Sequence, residues 1–223
     1  MREPHSTSRS AWNRVSVKNG TKEGMTRTER SYYDRRAEEY DDWYLGTGLF
    51  AQRARPGWVQ ELEALKAALA ALPFTSFLDV ACGTGYLTES LPGRVTALDQ
   101  SAAMLAVARR RVPSAAFLRA DALALPFRSK HFDCLITGHF YGHLKEPARR
   151  DFLSAARAVA KSLLIVDAAK REDVPSEEHQ ERVLNDGSRH VVYKRYFTAE
   201  SLLQEIGAGR VVHAGRWFAA VLA

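Results

Sequence analysis

The sequence predicts an α/β fold with a doubly wound, mostly parallel sheet. Short apolar runs alternate with amphipathic segments across residues 56–168, the pattern of strands connected by helices. One of these runs, "FLDV" at 77–80, leads directly into the turn "ACGTG". A length of 223 residues is enough for one such domain with a buried core.

Two helical segments come first. Residues 26–45 carry Tyr33, Tyr40 and Tyr44 near one face, and residues 56–72 begin with Pro56 and repeat leucines at helical spacing. The alternating strands and helices follow. We predict strands at 76–81, 94–99, 115–120, 132–137 and 162–168, and helices at 85–91, 101–111 and 147–160.

The end of the chain has a different character. "HVVYKRYF", "TAESLLQEIG" and "RVVHAGRWFAAVLA" indicate a strand, a helix and a pair of strands. An antiparallel pair can close a sheet that is otherwise parallel. The mostly polar segment 170–197 is the least regular part, and with the N-terminal helices and "GHFYGH" it is expected to form an acceptor pocket.

The net charge of +6 is concentrated near the N-terminus, where residues 1–36 hold nine Lys/Arg and four Asp/Glu. The remainder is close to neutral, which argues against a nucleic-acid partner. We predict a disordered basic tail at 1–24 and one domain at 25–223, with cap helices at 25–72. The two cysteines, Cys82 and Cys134, lack redox or zinc spacing, and no apolar run is long enough for a bilayer. A cytoplasmic protein without a membrane partner is expected.

In a parallel sheet, ligands bind beyond the carboxyl ends of the strands. The first predicted strand leads to Gly83-Thr84-Gly85, where backbone N–H groups are open to a ligand. The second ends in Asp99, which can accept from both hydroxyls of a ribose, and the third is followed by Asp121-Ala122, which can meet an adenine edge. These positions indicate an adenosine-type nucleotide.

Asp79 narrows the choice of nucleotide. A carboxylate aimed at the glycine turn repels a pyrophosphate and attracts a cationic amine. The third glycine of a dinucleotide turn is also missing, and Thr88 stands near its place. S-adenosylmethionine, a nucleoside with an amino-acid tail, satisfies all of these groups.

Four motifs in order resemble the class I S-adenosylmethionine-dependent methyltransferases, in particular the small-molecule group that includes ubiquinone and menaquinone methyltransferases. They are "FLDVACGTG", "VTALDQSAAML", "FLRADALALPF" and "FDCLITGHFYGHL". "YYDRRAEEYDDWY" resembles the family's aromatic cap helix, so the resemblance covers about residues 30–223. It implies a Rossmann-like seven-stranded sheet with an antiparallel last strand and an N-terminal helical cap.

The resemblance also implies roles for individual residues. Asp79 would sit beside the methionyl amine, Asp99 would hold the ribose, and tyrosines of the cap would cover the sulfonium, a cation that aromatic faces attract. The residues expected to bind S-adenosylmethionine are Tyr33, Tyr40, Asp79, Ala81, Gly83, Gly85, Asp99, Gln100, Met104, Asp121, Ala122, Thr137 and Gly138.

The segment "HFYGH" supplies the candidates for catalysis, His139, Tyr141 and His143. The two histidines are four residues apart, but Gly138 and Gly142 and the lack of a third ligand disfavour a metal site. A neutral imidazole can act as a general base, although a sulfonium is a good leaving group and positioning alone can supply most of the catalysis. No metal is expected.

Three alternatives remain at this stage. A nicotinamide-dependent oxidoreductase shares the fold, the glycines and Asp99, but does not explain Asp79. A nucleic-acid or protein methyltransferase shares the cofactor, and a binding protein without catalysis shares the site. The acceptor is expected to be a small molecule methylated on O, N, C or S, and the protein a monomer or homodimer.

Overall fold

The computed structural model describes the backbone of residues 27–223 and the side chains from Tyr32 onward. The basic tail predicted at 1–24 lies outside the described residues. The strands are β1 Ser76–Val80, β2 Arg94–Asp99, β3 Ala116–Arg119, β4 Phe132–Gly138, β5 Ala160–Ala168, β6 Glu177–Val183, β7 Arg189–Arg195, β8 Arg210–Ala214 and β9 Phe218–Leu222. The α-helices are α1 Arg27–Arg36, α2 Asp42–Leu45, α3 Trp58–Ala70, α4 Ala102–Arg111, α5 Ala148–Val159 and α6 Ala199–Ile206.

Seven strands form one sheet in the order β3-β2-β1-β4-β5-β9-β8. Strands β1 to β5 pair in parallel, whereas β9 is antiparallel to both of its neighbours. The order reverses between β1 and β4, so the carboxyl ends of these central strands border the crevice in which such sheets bind ligands. The predicted fold class, including the antiparallel last strand, is confirmed.

Both faces of the sheet are covered, which explains why the central strands are apolar without alternation. On one face, α5 and α6 bury side chains such as Phe152 and Leu202 against Leu135 and Leu163. On the other face, α3 buries its leucine stripe, including Leu65, in a separate cluster of core residues. These two layers hold the strand ends in fixed positions.

The segment after the glycine turn differs from the prediction. The expected helix at 85–91 is a series of turns with one short 3-10 helix, Thr88–Ser90. Pro92 disfavours helical backbone at the residue before it, and Leu91 is extended, with φ −80° and ψ 130°. The helical segment predicted at 26–45 is likewise divided into α1, a 3-10 turn at Ala37–Glu39 and α2.

Strands β6 and β7 form a separate antiparallel hairpin beside the main sheet. The sequence predicted only the second of them, because "EEHQERV" has no apolar residue before its last position. Polar and charged side chains alternate between more and less exposed positions along β6. This hairpin therefore presents charged groups on both faces, one of which is directed at the cap helices α1 to α3.

Glu61 of α3 connects the cap to the end of the sheet. Its carboxylate accepts hydrogen bonds from the backbone N–H groups of Arg216 (3.0 Å), Trp217 (2.8 Å) and Phe218 (2.8 Å). The ring of His213 lies 3.3 Å from the same carboxylate. The turn between β8 and β9 is thus held on α3.

Among the described residues, no helix has the length and apolarity needed to cross a membrane.

We expect Glu61→Ala to lower the free energy of unfolding by about 1–3 kcal/mol, since it removes the acceptor for three backbone donors. Urea denaturation of the full chain measures this change. Glu61→Gln, which keeps one acceptor oxygen, should lose less. Glu63→Ala, on an exposed position of the same helix, should stay within about 0.5 kcal/mol of wild type. Equal losses at 61 and 63 would contradict the role given to Glu61.

Candidate active site at the carboxyl ends of the parallel strands

The turn after β1 brings bare backbone to the edge of the sheet. Ala81, Gly83 and Gly85 have positive φ values of 58°, 55° and 77°. Such values are readily adopted by glycine and strained for other residues. A Cβ atom added to Gly83 would lie 3.8 Å from the ring of Tyr40, so the glycine leaves the space under the cap open.

Asp99, the last residue of β2, connects the glycine turn to the next helix. One of its oxygens accepts from the N–H of Gly83 at 2.9 Å, and the other accepts from the N–H of Ser101 at 2.8 Å. Burial raises the pKa of Asp99, and these backbone hydrogen bonds oppose that rise. Each carboxylate oxygen has a second lone pair, so the group can also accept hydrogen bonds from a ligand.

Asp79 is buried in β1 with 3% exposure. Its Oδ2 accepts from the hydroxyl of Thr88 at 2.6 Å, so the residue near the place of the missing glycine holds the carboxylate. Burial raises the pKa of Asp79 to about 7, and the Thr88 hydrogen bond opposes the rise. An ionised Asp79 therefore lacks a cationic neighbour among the described groups that shift its pKa, and a cationic ligand would supply one.

Two adjoining pockets surround this turn. The strand-end pocket is lined by Tyr33, Tyr40, Ala81, Gly83, Leu98, Asp99, Gln100, Met104, Ala120, Ala122, Gly138, His139 and Phe140. The glycine-turn pocket is lined by Tyr40, Tyr44, Asp79, Ala81, Cys82, Gly83, Thr84, Tyr86, Leu87, Ile136 and Gly138. Four residues line both, so the two pockets adjoin each other along the strand ends. Leu98, Ala120 and Phe140 were not predicted, although each stands within two residues of one that was.

Three predicted cofactor residues are placed elsewhere. A Cβ at Gly85 would lie 3.3 Å from that of Ala108, so Gly85 allows α4 to pack closely. The hydroxyl of Thr137 is fully buried and donates to the carbonyl of Val80 at 2.8 Å, which ties β4 to β1. The carboxylate of Asp121 accepts from the N–H of Leu123 at 2.9 Å in a local turn. None of the three lines either pocket.

The cap is attached to the sheet by carboxylates. Asp41 accepts from the hydroxyl of Thr84 at 2.6 Å and forms an ion pair with Arg111 of α4. Asp34 of α1 accepts from the hydroxyl of Ser101 at 2.5 Å. These contacts hold the cap in which Tyr33 and Tyr40 line the strand-end pocket.

His139 stands where the strand-end pocket meets a larger space. Its backbone has a positive φ of 56°, and its ring packs edge-on against Trp43 with centroids 4.8 Å apart. Nδ1 lies 3.9 Å from Oδ1 of Asp167, and Nε2 has no hydrogen-bond partner within the described part of the chain. Burial lowers the pKa of His139 to about 3, against the opposing effect of Asp167. The imidazole is therefore neutral at pH 7 and a weak base.

The other two predicted catalytic residues have different surroundings. Tyr141 is fully buried, donates to Oε1 of Glu205 at 2.7 Å and lines neither of the two pockets. His143 has its Nδ1 2.6 Å from the carbonyl of Tyr193. Burial, followed by the charges of Lys194 and Arg182, lowers the pKa of His143 well below its usual range. The three candidates thus do not form one catalytic group.

A cleft of about 840 Å³ lies between the cap and the β6–β7 hairpin. Tyr40 and His139 line both this cleft and the strand-end pocket, so the two cavities meet at these side chains. Lys194 at the cleft is buried and forms an ion pair with the fully buried Asp167. Asp167 is the second-last residue of β5 and was missed, although the strand-end argument applied to β1, β2 and β3 would have found it.

Within the part of the chain that the structure describes, no group of three His, Cys, Asp or Glu side chains is placed to hold a metal ion.

Comparison with known proteins agrees with this arrangement of strand ends. Residues 77–162, from β1 to the start of β5, match the family model described as "Methyltransferase domain". Residues 77–162 are therefore similar to a methyltransferase domain. A demethylmenaquinone methyltransferase of Renibacterium salmoninarum is 39% identical over 85 residues, which are 37% of this chain and 36% of that protein.

Other similar proteins extend the comparison. A malonyl-[acyl-carrier protein] O-methyltransferase of Enterobacter lignolyticus is 40% identical over 91 residues, 36% of each chain. The chain thus spans about a third of the length of these curated relatives. The solved DhpI-SAM-HEP complex is 26% identical, with a TM-score of 0.67, over 92% of this chain and 100% of that one. The similarity to that structure therefore extends well beyond residues 77–162.

We expect Asp41→Ala to loosen the cap of the methyltransferase domain. The ion pair with Arg111 and the Thr84 hydrogen bond are partly buried, so their loss should cost about 1–3 kcal/mol. Hydrogen exchange of residues 37–45, followed by mass spectrometry, should then be faster. Glu38→Ala removes a pair with Arg110 whose side chains are 82% and 63% exposed, and should cost less than about 0.5 kcal/mol. The same exchange rates in both variants would contradict the role of Asp41 in attaching the cap.

Proposed function

We propose that the protein is a methyltransferase that uses S-adenosylmethionine to methylate a small-molecule acceptor and releases S-adenosylhomocysteine. The observation that carries this proposal is the pair of carboxylates, Asp79 and Asp99, on the two sides of one glycine turn. A sulfur nucleoside with an amino-acid tail has a ribose for Asp99 and an ammonium group for Asp79. A dinucleotide would place a pyrophosphate beside Asp79, where two negative charges would repel.

The described residues fit this cofactor. Asp99 has free lone pairs for ribose hydroxyls, and Leu98 and Met104 provide an apolar lining beside it for a base. Asp79 lines the glycine-turn pocket, where a cationic amine would offset its cost of burial. Gly83 leaves the cradle open, because any side chain there would project toward Tyr40. The roles of the predicted cofactor residues rest on this fit.

When bound, S-adenosylmethionine supplies an electrophilic methyl group on a sulfonium cation. Tyr33 and Tyr40 line the strand-end pocket, and the faces of their rings can attract a cation. The cap contributes Tyr33 and Tyr40 to the lining of this region, and the shared boundary at Tyr40 and His139 is the place at which an acceptor in the cleft approaches the cofactor pocket. The chain contributes mainly position and desolvation.

Relatives and cysteine chemistry support the remaining parts of the proposal. The two curated relatives are named for demethylmenaquinone and for a malonyl carrier, which favours a small organic acceptor group over nucleic acid. Cys82 and Cys134 are both free thiols, in keeping with a reducing cytoplasm. A monomer or homodimer remains our expectation.

The central test is calorimetric titration of the full chain with S-adenosylmethionine, S-adenosylhomocysteine and NADH. We expect the sulfur nucleosides to bind and Asp99→Ala to weaken them by about a hundredfold or more, since hydrogen bonds to a charged group contribute about 1.5–3 kcal/mol each. Asp99→Asn, which keeps an acceptor for the Gly83 N–H, separates ligand loss from misfolding. Asp186→Ala, in the exposed hairpin turn, is the matched control and should bind normally.

Binding of NADH with neither sulfur nucleoside would overturn the proposal and favour an oxidoreductase. Equal affinities of wild type and both Asp99 variants for the sulfur nucleosides would contradict the ribose role of that carboxylate.

The raised pKa of Asp79 predicts a pH dependence. Below about pH 7 the free protein holds Asp79 mostly protonated, whereas a ligand ammonium favours the ionised form. Binding of S-adenosylhomocysteine at pH 6 should therefore release a proton, and its affinity should rise about tenfold from pH 6 to pH 8 and then level off. Asp79→Asn should bind weakly at every pH. A flat wild-type profile in calorimetry would show that Asp79 does not titrate with binding.

A further inference from the structure

Two arginines converge on one hydroxyl in the wall of the cleft. The Nη1–H of Arg36, from α1, donates to the Tyr32 oxygen at 2.5 Å, and the Nη1–H of Arg182, from β6, donates to it at 3.4 Å. All three residues line the cleft. Guanidinium groups that share an acceptor repel each other, so this arrangement concentrates positive charge at one place.

Neither arginine has a carboxylate partner among the described side chains. Arg182 also donates a hydrogen bond to Oε1 of Gln180 at 3.0 Å, and Arg36 stands over the ring of Tyr40, 4.7 Å from its centroid. Arg36 is only 6% exposed. A buried guanidinium without a counter-ion is costly, and a bound anion would remove much of that cost.

The acidic residues of the cleft are engaged elsewhere. Asp173 is paired with Arg171, and Glu181 with Arg189 on the neighbouring strand. Glu178 accepts from the hydroxyl of Tyr196 at 2.8 Å and from the amide of Gln180 at 2.8 Å. Glu39 accepts from the N–H of Asn185 at 2.8 Å, and Asp42 accepts from the hydroxyl of Thr47 at 2.5 Å. None of these five described carboxylates forms an ion pair with Arg36 or Arg182, so both guanidinium groups can bind an anionic ligand.

The charge lies close to the boundary between the cleft and the strand-end pocket. Arg36 contacts Tyr40, which lines both cavities, and Arg182 acts electrostatically on both His139 and His143. Neither histidine is a useful base, because burial lowers the pKa of each. An acceptor that must lose a proton finds little help here, whereas an acceptor that is already ionised needs none.

We propose that the acceptor is an oxyanion, a carboxylate or a phosphonate or phosphate, which Arg36 and Arg182 bind in the cleft and which is methylated on oxygen. This inference rests on the proposed function. A lone pair of the acceptor oxygen forms the new O–CH3 bond, and the S–CH3 bond breaks with its electron pair retained by sulfur. The opposite charges of sulfonium and oxyanion are neutralised together, so the methyl ester forms without transfer of a proton.

The test is calorimetry on the full chain saturated with S-adenosylhomocysteine, titrated with phenylacetate, phenylphosphonate and the neutral phenylacetamide. We expect one or both anions to bind and the amide to bind at least tenfold more weakly. The two anions separate a carboxylate acceptor from a phosphorus oxyanion. Mass spectrometry of the same probes incubated with S-adenosylmethionine should detect the methyl ester of the anion that binds.

Variants assign the binding to the arginines. Arg182→Gln should weaken the anion at least tenfold, and Arg182→Lys, which keeps the charge but not the planar fork, should lie between it and wild type. Arg53→Gln is the matched control, because Arg53 also lines the cleft but is exposed and stands over Phe50. Affinity for S-adenosylhomocysteine, measured first in each variant, reports that the fold is intact.

Unchanged anion binding in Arg182→Gln, equal losses in Arg53→Gln, or tighter binding of the amide than of the anions would overturn the inference. So would failure of both anions to bind a protein that binds S-adenosylhomocysteine, and the proposed function would then still stand. Failure of the wild type to bind S-adenosylhomocysteine would instead overturn the proposed function itself.

Discussion

The carboxylate of Asp99 is the contact on which the arrangement of the site depends. It holds the N–H of Gly83 with one oxygen and the N–H of Ser101 with the other, so a single side chain fixes the glycine turn relative to the start of α4. The hydroxyl of Ser101 in turn donates to Asp34 of the cap and accepts from the N–H of Met104. The turn, the helix and the cap therefore share one hydrogen-bonded network, whose members reinforce each other in a buried setting.

The sequence predicted the site best where chemically informative residues lie at the ends of successive strands. The glycine turn, Asp79 and Asp99 lie at or near the ends of adjacent parallel strands, and the carboxyl ends of such strands meet at one edge whatever the details of packing. Side-chain direction in the loops was harder to predict. Tyr141 is only two residues from His139, yet it points into the core toward Glu205, while His139 faces the cleft. His139 also has a positive φ, which no local sequence pattern predicts.

Long-range convergence was beyond the sequence for a different reason. Arg36 and Arg182 lie on separate elements and meet at the Tyr32 hydroxyl. The position of Arg182 could not be predicted, because β6 has neither the apolar alternation nor the β-branched content that predicts a strand. The helix expected at 85–91 failed for a partly local reason, since Pro92 disfavours helical backbone at Leu91. The charges of Arg36 and Arg182 form one cluster only when the fold brings α1 and β6 together.

The electrostatics of the two cavities are opposite, and this contrast limits the chemistry that the site can perform. The glycine-turn pocket holds Asp79, a carboxylate that burial disfavours in its charged form, whereas the cleft holds guanidinium groups without described counter-ions. A cation is stabilised on one side of Tyr40 and an anion on the other, so two ligands of opposite charge would meet at their shared boundary. Helix α1 contributes to both cavities, with Tyr33 in the strand-end pocket and Tyr32 and Arg36 in the cleft.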